Sequence, residues 1–259
     1  MTESKTFCVL PWTHMATWTD GSALLCCVAK NSYKHNLNDQ TVSEIWNSEH
    51  WKDARKKMLS GQKVMACEHC YKEESAGIRS HRINENTLWK RELGEDKINS
   101  LVEATQEDGT LEEDLVTLDF RLGNTCNLQC RMCSSQFSSK LLKRDQWLVN
   151  NHEHLDFHVA KVQKSRYETL KDLNIDWSDL RSVKLLGGEP FLSPNFLDFL
   201  YFLDMRTEIS KVQLEIVTNC TTQLTEEMVD ILNQFKFIRL SGSFDGLPKH
   251  NEYQRVGSV

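Results

Sequence analysis

Leu118–Cys133 reads LDFRLGNTCNLQCRMC, and the rest of the chain is organised around it. The stretch opens with a short apolar run that reads as a β-strand. It closes with Cys126, Cys130 and Cys133 at the spacing C-x3-C-x2-C. Three thiolates this close can hold one face of an iron–sulfur cluster, whereas a cubane normally takes four protein ligands. A missing fourth ligand leaves one iron open, and an open metal position marks a catalytic site rather than a structural one. The competing reading is a zinc knuckle short of one ligand, which looks similar in sequence.

Two further features bear on that choice. Asn127 and Leu128 follow the first cysteine, giving the order CNLxC, and Val183–Pro190 reads VKLLGGEP, an apolar strand running into Gly187, Gly188, Glu189 and Pro190. Alone, the glycine pair would read as a tight turn. Placed behind the cysteine motif, it resembles the corresponding segment of the radical SAM superfamily, although Met132 stands where relatives usually carry an aromatic residue. The resemblance implies an α/β fold, a partial (βα) barrel with the cysteine loop after its first strand and the GGEP segment after its second. It implies that S-adenosylmethionine chelates the open iron of a [4Fe–4S] cluster on Cys126, Cys130 and Cys133. Reductive cleavage of S-adenosylmethionine then yields a 5′-deoxyadenosyl radical for hydrogen abstraction. It also implies a reductant such as flavodoxin or ferredoxin. Gly187, Gly188, Glu189 and Pro190 would meet the amino group of the cofactor, glycines suiting close main-chain approach. Further cofactor contacts are implied for Asn219, for Ser243 and Asp245 in SGSFDG, and for Arg255 ten residues on. These lie at C-terminal ends of strands, where α/β barrels place their chemistry. By residue type alone, Asn219, Ser243 and Asp245 also read as turn residues.

Residues 1–77 carry a second block of cysteines: Cys8, Cys26, Cys27, Cys67 and Cys70. Cys67-x2-Cys70 is a metal knuckle. Asp20–Gly21 signals a hairpin that places Cys26 and Cys27 on a returning strand. Ser43 reads as the cap of a helix running to about Ser60, with Gly61 as its stop. Cys8 with Pro11 and Trp12, then DGSALLCC, TVSEIWNSEHW and CEHC, resembles the SPASM/twitch auxiliary-cluster module of radical SAM enzymes. By position this implies an auxiliary [4Fe–4S] cluster on Cys8, Cys26, Cys67 and Cys70, Cys26 lying five residues after Gly21. Such modules usually follow the barrel, and this one precedes it. A zinc site with the same thiolates is the alternative, because an all-cysteine ligand set does not separate the two metals.

The chain has 259 residues, 39% hydrophobic and 26% charged, an ordinary balance for a globular protein with an ample core. Its net charge of −6 argues against a general nucleic-acid or membrane surface. The N-terminus MTESKTFCVLPW lacks the pattern of a signal peptide, and no run reaches the length of a membrane span. Nine cysteines without such a signal indicate a reducing, cytoplasmic setting and metal binding rather than disulfides. Cys220, apart from both blocks, reads as a small buried apolar side chain.

Residues 78–115 are expected to form a helical, acidic linker, with a helix over Ile78–Leu93 turning Ile83 and Leu88 inward and Arg82 outward. Residues 116–259 alternate strand and helix, the pattern of a parallel sheet built from βα units. Strands are predicted near Val116–Arg121, Ser182–Leu186, Val212–Thr218 and Phe237–Ser241, with helices near Ser135–Asn150, Pro194–Ile209 and Thr225–Phe235. The long connection 134–181 contains His152, His154 and His158, read as a solvated loop rather than a metal site. A core of the implied kind has six βα units and only four strands precede Val259, so the expectation is a fragment, truncated after four strands, with an exposed sheet edge. The leading substrate is a peptide or protein, with a nucleoside, sugar or other small molecule as the alternative. The non-enzymatic alternative is a metal-stabilised binding protein.

Overall fold

The computed structural model describes residues 4–30, 34–112, 115–152 and 177–258. They fall into two compact units. Unit 1 holds the described residues of Met1–Thr17, Ser22–Asp119 and Asp172–Asp179, and unit 2 those of Trp18–Gly21, Phe120–Lys171 and Leu180–Val259.

Unit 1 begins with a helical turn, α1 (Leu10–Thr13), and strand β1 (His14–Thr17), which pairs antiparallel with β2 (Ala23–Leu24). The turn between them carries Gly21 at φ +87°, left-handed backbone that glycine adopts without steric cost. The helix predicted from Ser43 is two helices, α2 (Val42–Trp46) and α3 (Glu49–Leu59). Its cap is Thr41, in a reciprocal capping box with Glu44. The break falls at Asn47, whose amide grips the main chain of Leu111 from both sides at 3.0 Å. Arg55 of α3 is fully buried, its guanidinium donating to the carbonyls of Pro11 (2.9 Å) and Gly109 (3.2 Å). Burial pulls its pKa down to about 9.

The stretch expected as linker holds α5 (His81–Leu93) and α6 (Glu95–Glu103), preceded by α4 (Glu68–Ser75). Ile98, Leu101 and Val102 of α6 are buried, so this helix contributes to the core of unit 1. On α5 the inward face is not Ile83 and Leu88 but Arg82 and Trp89, Leu88 being 37% exposed. Arg82 turns inward because Glu74 meets its guanidinium at 2.5 Å and 2.9 Å and the carbonyl of Phe7 accepts at 2.6 Å. A buried cation is tolerated when paired in this way. Strand β3 (Thr117–Arg121) runs parallel to β1, pairing Met15 with Leu118.

In unit 2, β4 (Gln129–Cys130) lies in the cysteine loop and α7 (Leu142–Asn151) follows it. Strands β5 (Ser182–Leu186), β6 (Gln213–Thr218) and β7 (Phe237–Gly242) run parallel, with Val183 opposite Leu214 and Ile216 opposite Leu240. Helix α8 (Phe196–Arg206) buries Phe196, Phe199, Leu200, Phe202 and Leu203, and Phe120 stacks on Phe199 at 4.9 Å. Burying five large side chains at ~1.5–3 kcal/mol each makes this helix a large contributor to the hydrophobic stabilisation of the unit. Thr225 caps α9 (Glu226–Leu232) as predicted, accepting from the Met228 N–H at 3.2 Å. Strand β7 leaves Phe237 51% and Leu240 53% exposed. The chain then forms α10 (Pro248–Gln254) and β8 (Arg255–Val256), which pairs antiparallel with β4. Among the described residues no helix is long and apolar enough to cross a membrane. His154 and His158 lie outside the described residues; the half-buried His152 ring packs edge-on against Trp147 at 5.7 Å.

Candidate metal centres

Two groups of cysteines are assembled, one in each unit, and they differ in how they meet solvent. In unit 2, Cys126, Cys130 and Cys133 line a cavity of about 740 Å³, a volume typical of small-molecule sites. The loop between β3 and α7 carries all three. It is held by Ser138, whose hydroxyl donates to the Leu128 carbonyl at 2.7 Å, and by Asp145, which accepts from the Ser135 N–H at 2.6 Å. Burial pushes the Cys130 thiol up, while the Arg255 guanidinium opposes the shift and the Cys126 sulfur adds to it. Cys133 is raised first by burial, with Cys130 and Cys126 adding to it. Holding an iron–sulfur core would require all three sulfurs as thiolates.

Gly187 and Gly188 line the same cavity. Their small size is needed on the other side of the main chain as well, because the cysteine loop packs directly on them. A Cβ on Gly188 would lie 2.1 Å from the Thr125 carbonyl oxygen, and one on Gly187 would lie 2.6 Å from that of Gly123. The Gly188 N–H donates to the Gly123 carbonyl at 2.9 Å and the Glu189 N–H to that of Thr125 at 2.7 Å. Glu189 and Pro190 do not line the cavity. The Glu189 carboxylate is buried, accepting from the Thr218 hydroxyl (2.8 Å) and the Asn219 N–H (2.7 Å), so it ties the end of β5 to the end of β6.

Asn219, Ser243 and Arg255 do line the cavity. Asp245 does not; its carboxylate forms an ion pair with Arg255, Oδ2 lying 2.6 Å from Nε, and so braces that arginine. Cys220 is exposed at φ +61°, not buried as its residue type suggested. The sequence did not single out Arg121, Arg131 or Arg144, which also line the cavity. Arg121 ends the strand of the opening motif with its guanidinium 5.1 Å from the Trp18 ring, and its place at a strand's C-terminal end was the available signal.

In unit 1, Cys8, Cys26, Cys67 and Cys70 line a small hollow with His81 and Arg82. Cys67 and Cys70 sit at the start of α4, where the helix dipole favours negative charge. Burial pushes the Cys67 thiol up to about 12 and the Cys8 and Cys26 thiols well above their usual range. For each of these three, the charge of neighbouring cysteines adds to the shift. Cys27 does not line the hollow; it is half-buried, with its Sγ 3.7 Å from His81 Nε2. The four-thiolate donor set suits an iron–sulfur core. Among the described residues, no three His, Cys, Asp or Glu side chains converge tightly enough for a single metal ion.

Comparison with known proteins gives one family match. Residues 8–71 match the SPASM family, described as an iron–sulfur cluster-binding domain. No curated protein sequence matches the chain. Among solved structures, the chain is similar to Streptococcus suis SuiB bound to S-adenosylmethionine, with 16% identity and a TM-score of 0.34 over 80% of this chain and 43% of that one. It is also similar to SuiB bound to the precursor peptide SuiA, with 17% identity and a TM-score of 0.33 over 79% and 44%. The chain therefore spans less than half the length of either structure, and likeness at these scores carries nothing about its chemistry. What the comparisons establish is a match of residues 8–71 to the SPASM family of iron–sulfur cluster-binding domains.

Proposed function

We propose that the chain is part of a radical SAM enzyme, residues 116–259 being βα units of its core and residues 8–71 its auxiliary-cluster module. One observation supports this above the others. The three-cysteine loop faces a cavity of about 740 Å³ whose lining, among the described residues, supplies no fourth His, Cys, Asp or Glu ligand. The four-cysteine set instead closes a small hollow. An open ligand position beside a cavity is what a reacting centre needs, and a closed set is what a structural or electron-transfer centre needs.

When bound, a [4Fe–4S] cluster and S-adenosylmethionine supply a 5′-deoxyadenosyl radical for hydrogen abstraction. The protein's residues do the rest. Cys126, Cys130 and Cys133 hold the cluster, and the backbone at Gly187–Gly188 seats the cysteine loop and forms one cavity wall. Val217, Leu186 and Phe137 give that wall an apolar part, which keeps water from the reacting carbon. Ser243 and Asn219 offer hydrogen bonds to the cofactor from the ends of β7 and β6. The proposed substrate is a peptide, by the resemblance of the auxiliary module to those of peptide-modifying enzymes, and the proposed electron source is a flavodoxin or ferredoxin.

Anaerobic reconstitution with iron and sulfide tests the reading. Two cubanes per chain and formation of 5′-deoxyadenosine from S-adenosylmethionine and dithionite are expected. A protein that takes up zinc at both sites and excludes iron would overturn it.

A further inference from the structure

Two side chains expected to touch the cofactor also reach the cysteine ligands. The Asn219 side-chain amide, at the end of β6, lies with Nδ2 3.8 Å from Cys126 Sγ and 2.9 Å from Asn127 Oδ1. Its orientation is fixed from several directions. The Asn219 N–H is held by Glu189 at 2.7 Å, and its Oδ1 accepts from the Thr221 hydroxyl at 2.7 Å and the Thr221 N–H at 3.0 Å. The amide therefore cannot flip without losing both contacts on its oxygen side.

Arg255 reaches the second ligand by a different route. In the antiparallel ladder of β4 and β8, Cys130 and Arg255 are direct partners. Side chains of directly opposed residues project to the same face of such a pair. The guanidinium and the Cys130 sulfur therefore lie on one face of the ladder, and both residues line the same cavity. Asp245 anchors Arg255 through Nε at 2.6 Å, and the ladder is locked by the Arg131 N–H to the Gln254 carbonyl at 2.8 Å. Arg131 adds a bond to the Tyr253 carbonyl at 2.7 Å and stacks on the Tyr253 ring at 4.0 Å.

Hydrogen bonds and positive charge at ligand sulfurs are among the levers that set the potential of an iron–sulfur cluster. They stabilise the more negative, reduced state over the oxidised one. We propose that Asn219 and Arg255 are positioning residues that hold the potential of the three-cysteine cluster up, by directing an amide N–H at Cys126 and a guanidinium at Cys130. The inference rests on the cluster assignment made above. It adds a role that cofactor contact does not require, because it operates on the cluster before any cofactor enters.

The test uses the full chain, reconstituted anaerobically, and follows the reduced cluster by electron paramagnetic resonance during a redox titration without cofactor. The three-cysteine signal is identified beforehand as the one that changes when S-adenosylmethionine is added. Asn219→Ala and Arg255→Gln should each shift its midpoint to lower potential, with iron content unchanged and the auxiliary signal unmoved. Arg255→Lys, which keeps the charge, should return most of the shift. An unmoved midpoint in variants with wild-type iron content would overturn the inference alone. If either variant loses iron, Asn219→Gln decides: a midpoint below the wild-type value supports the inference, and an unmoved or raised one overturns it. Absence of any S-adenosylmethionine-responsive signal in the wild type would overturn the cluster assignment and the inference with it.

Discussion

Substituting Gly188 by alanine is the sharpest probe of how the cysteine loop is seated. The added Cβ would lie 2.1 Å from the Thr125 carbonyl oxygen and 2.7 Å from the carbonyl carbons of Asn124 and Thr125, against a 3.0 Å limit that real contacts respect. The obstruction is main chain and cannot rotate aside, so the loop must retreat by about 1 Å. Retreat breaks the Gly188–Gly123 and Glu189–Thr125 hydrogen bonds of 2.9 and 2.7 Å. Two bonds at ~0.5–1.5 kcal/mol each, with ~1–3 kcal/mol of overpacking, give a cost of about 2–6 kcal/mol. Cys126 directly follows Thr125, so the same displacement moves a cluster ligand. Urea unfolding of the apoprotein should register the loss, and reconstitution should leave the three-cysteine site short of iron. The matched control is Gly77→Ala, at φ +77° with nothing within 4 Å of the new Cβ, which should show only local backbone strain of ~1–2 kcal/mol. A Gly188→Ala protein within ~0.5 kcal/mol of wild type and with full iron would refute the packing argument.

Cys130→Ala should abolish one of the two proposed clusters and leave the four-cysteine site loaded, read as half the iron by elemental analysis; loss of both would mean that the two sites do not load independently. Thr225→Ala removes the cap on the Met228 N–H and should cost ~1 kcal/mol in urea without changing iron content. Burial would raise the Glu74 carboxyl, but Arg82 and Ser80 outweigh it and hold it below its usual 4.5. A depressed carboxylate contributes stability above its unfolded pKa and loses it as pH falls through the folded value, so stability should decline below about pH 4.5. Glu74→Gln should flatten that acid limb, and an unchanged limb would dismiss the Glu74–Arg82 pair as its source.

What sequence could reveal here was whatever is local. Strand β5 over Ser182–Leu186, the Thr225 cap, and the cysteine spacing on a loop after a strand are all decided within a few residues. The need for Gly187–Gly188 was also legible, though half of its reason was not, because the atoms that forbid a side chain belong to residues 123–125. The break between α2 and α3 was hidden for the same cause: Asn47 is held by Leu111, far along the chain. Arg82 looked like a solvated charge until Glu74 and the Phe7 carbonyl were seen to enclose it. Asp245 matched a cofactor-binding pattern, yet its partner is an arginine whose position is set by a two-residue strand with no periodicity to read.

That two-residue strand has a bearing on biogenesis. Cys130 finds its ladder partner at Arg255, so the loop that receives iron is completed by residues emerging from the ribosome long after it. At ~5–20 residues per second the delay is several seconds or more, during which the three thiols lie on an unfastened loop. Iron delivery timed within that interval meets an accessible site, and delivery afterwards meets one already clasped. Stalled nascent chains ending before residue 253 should therefore accept iron at these cysteines faster than the released protein does, and equal rates would show that the clasp is no barrier to loading.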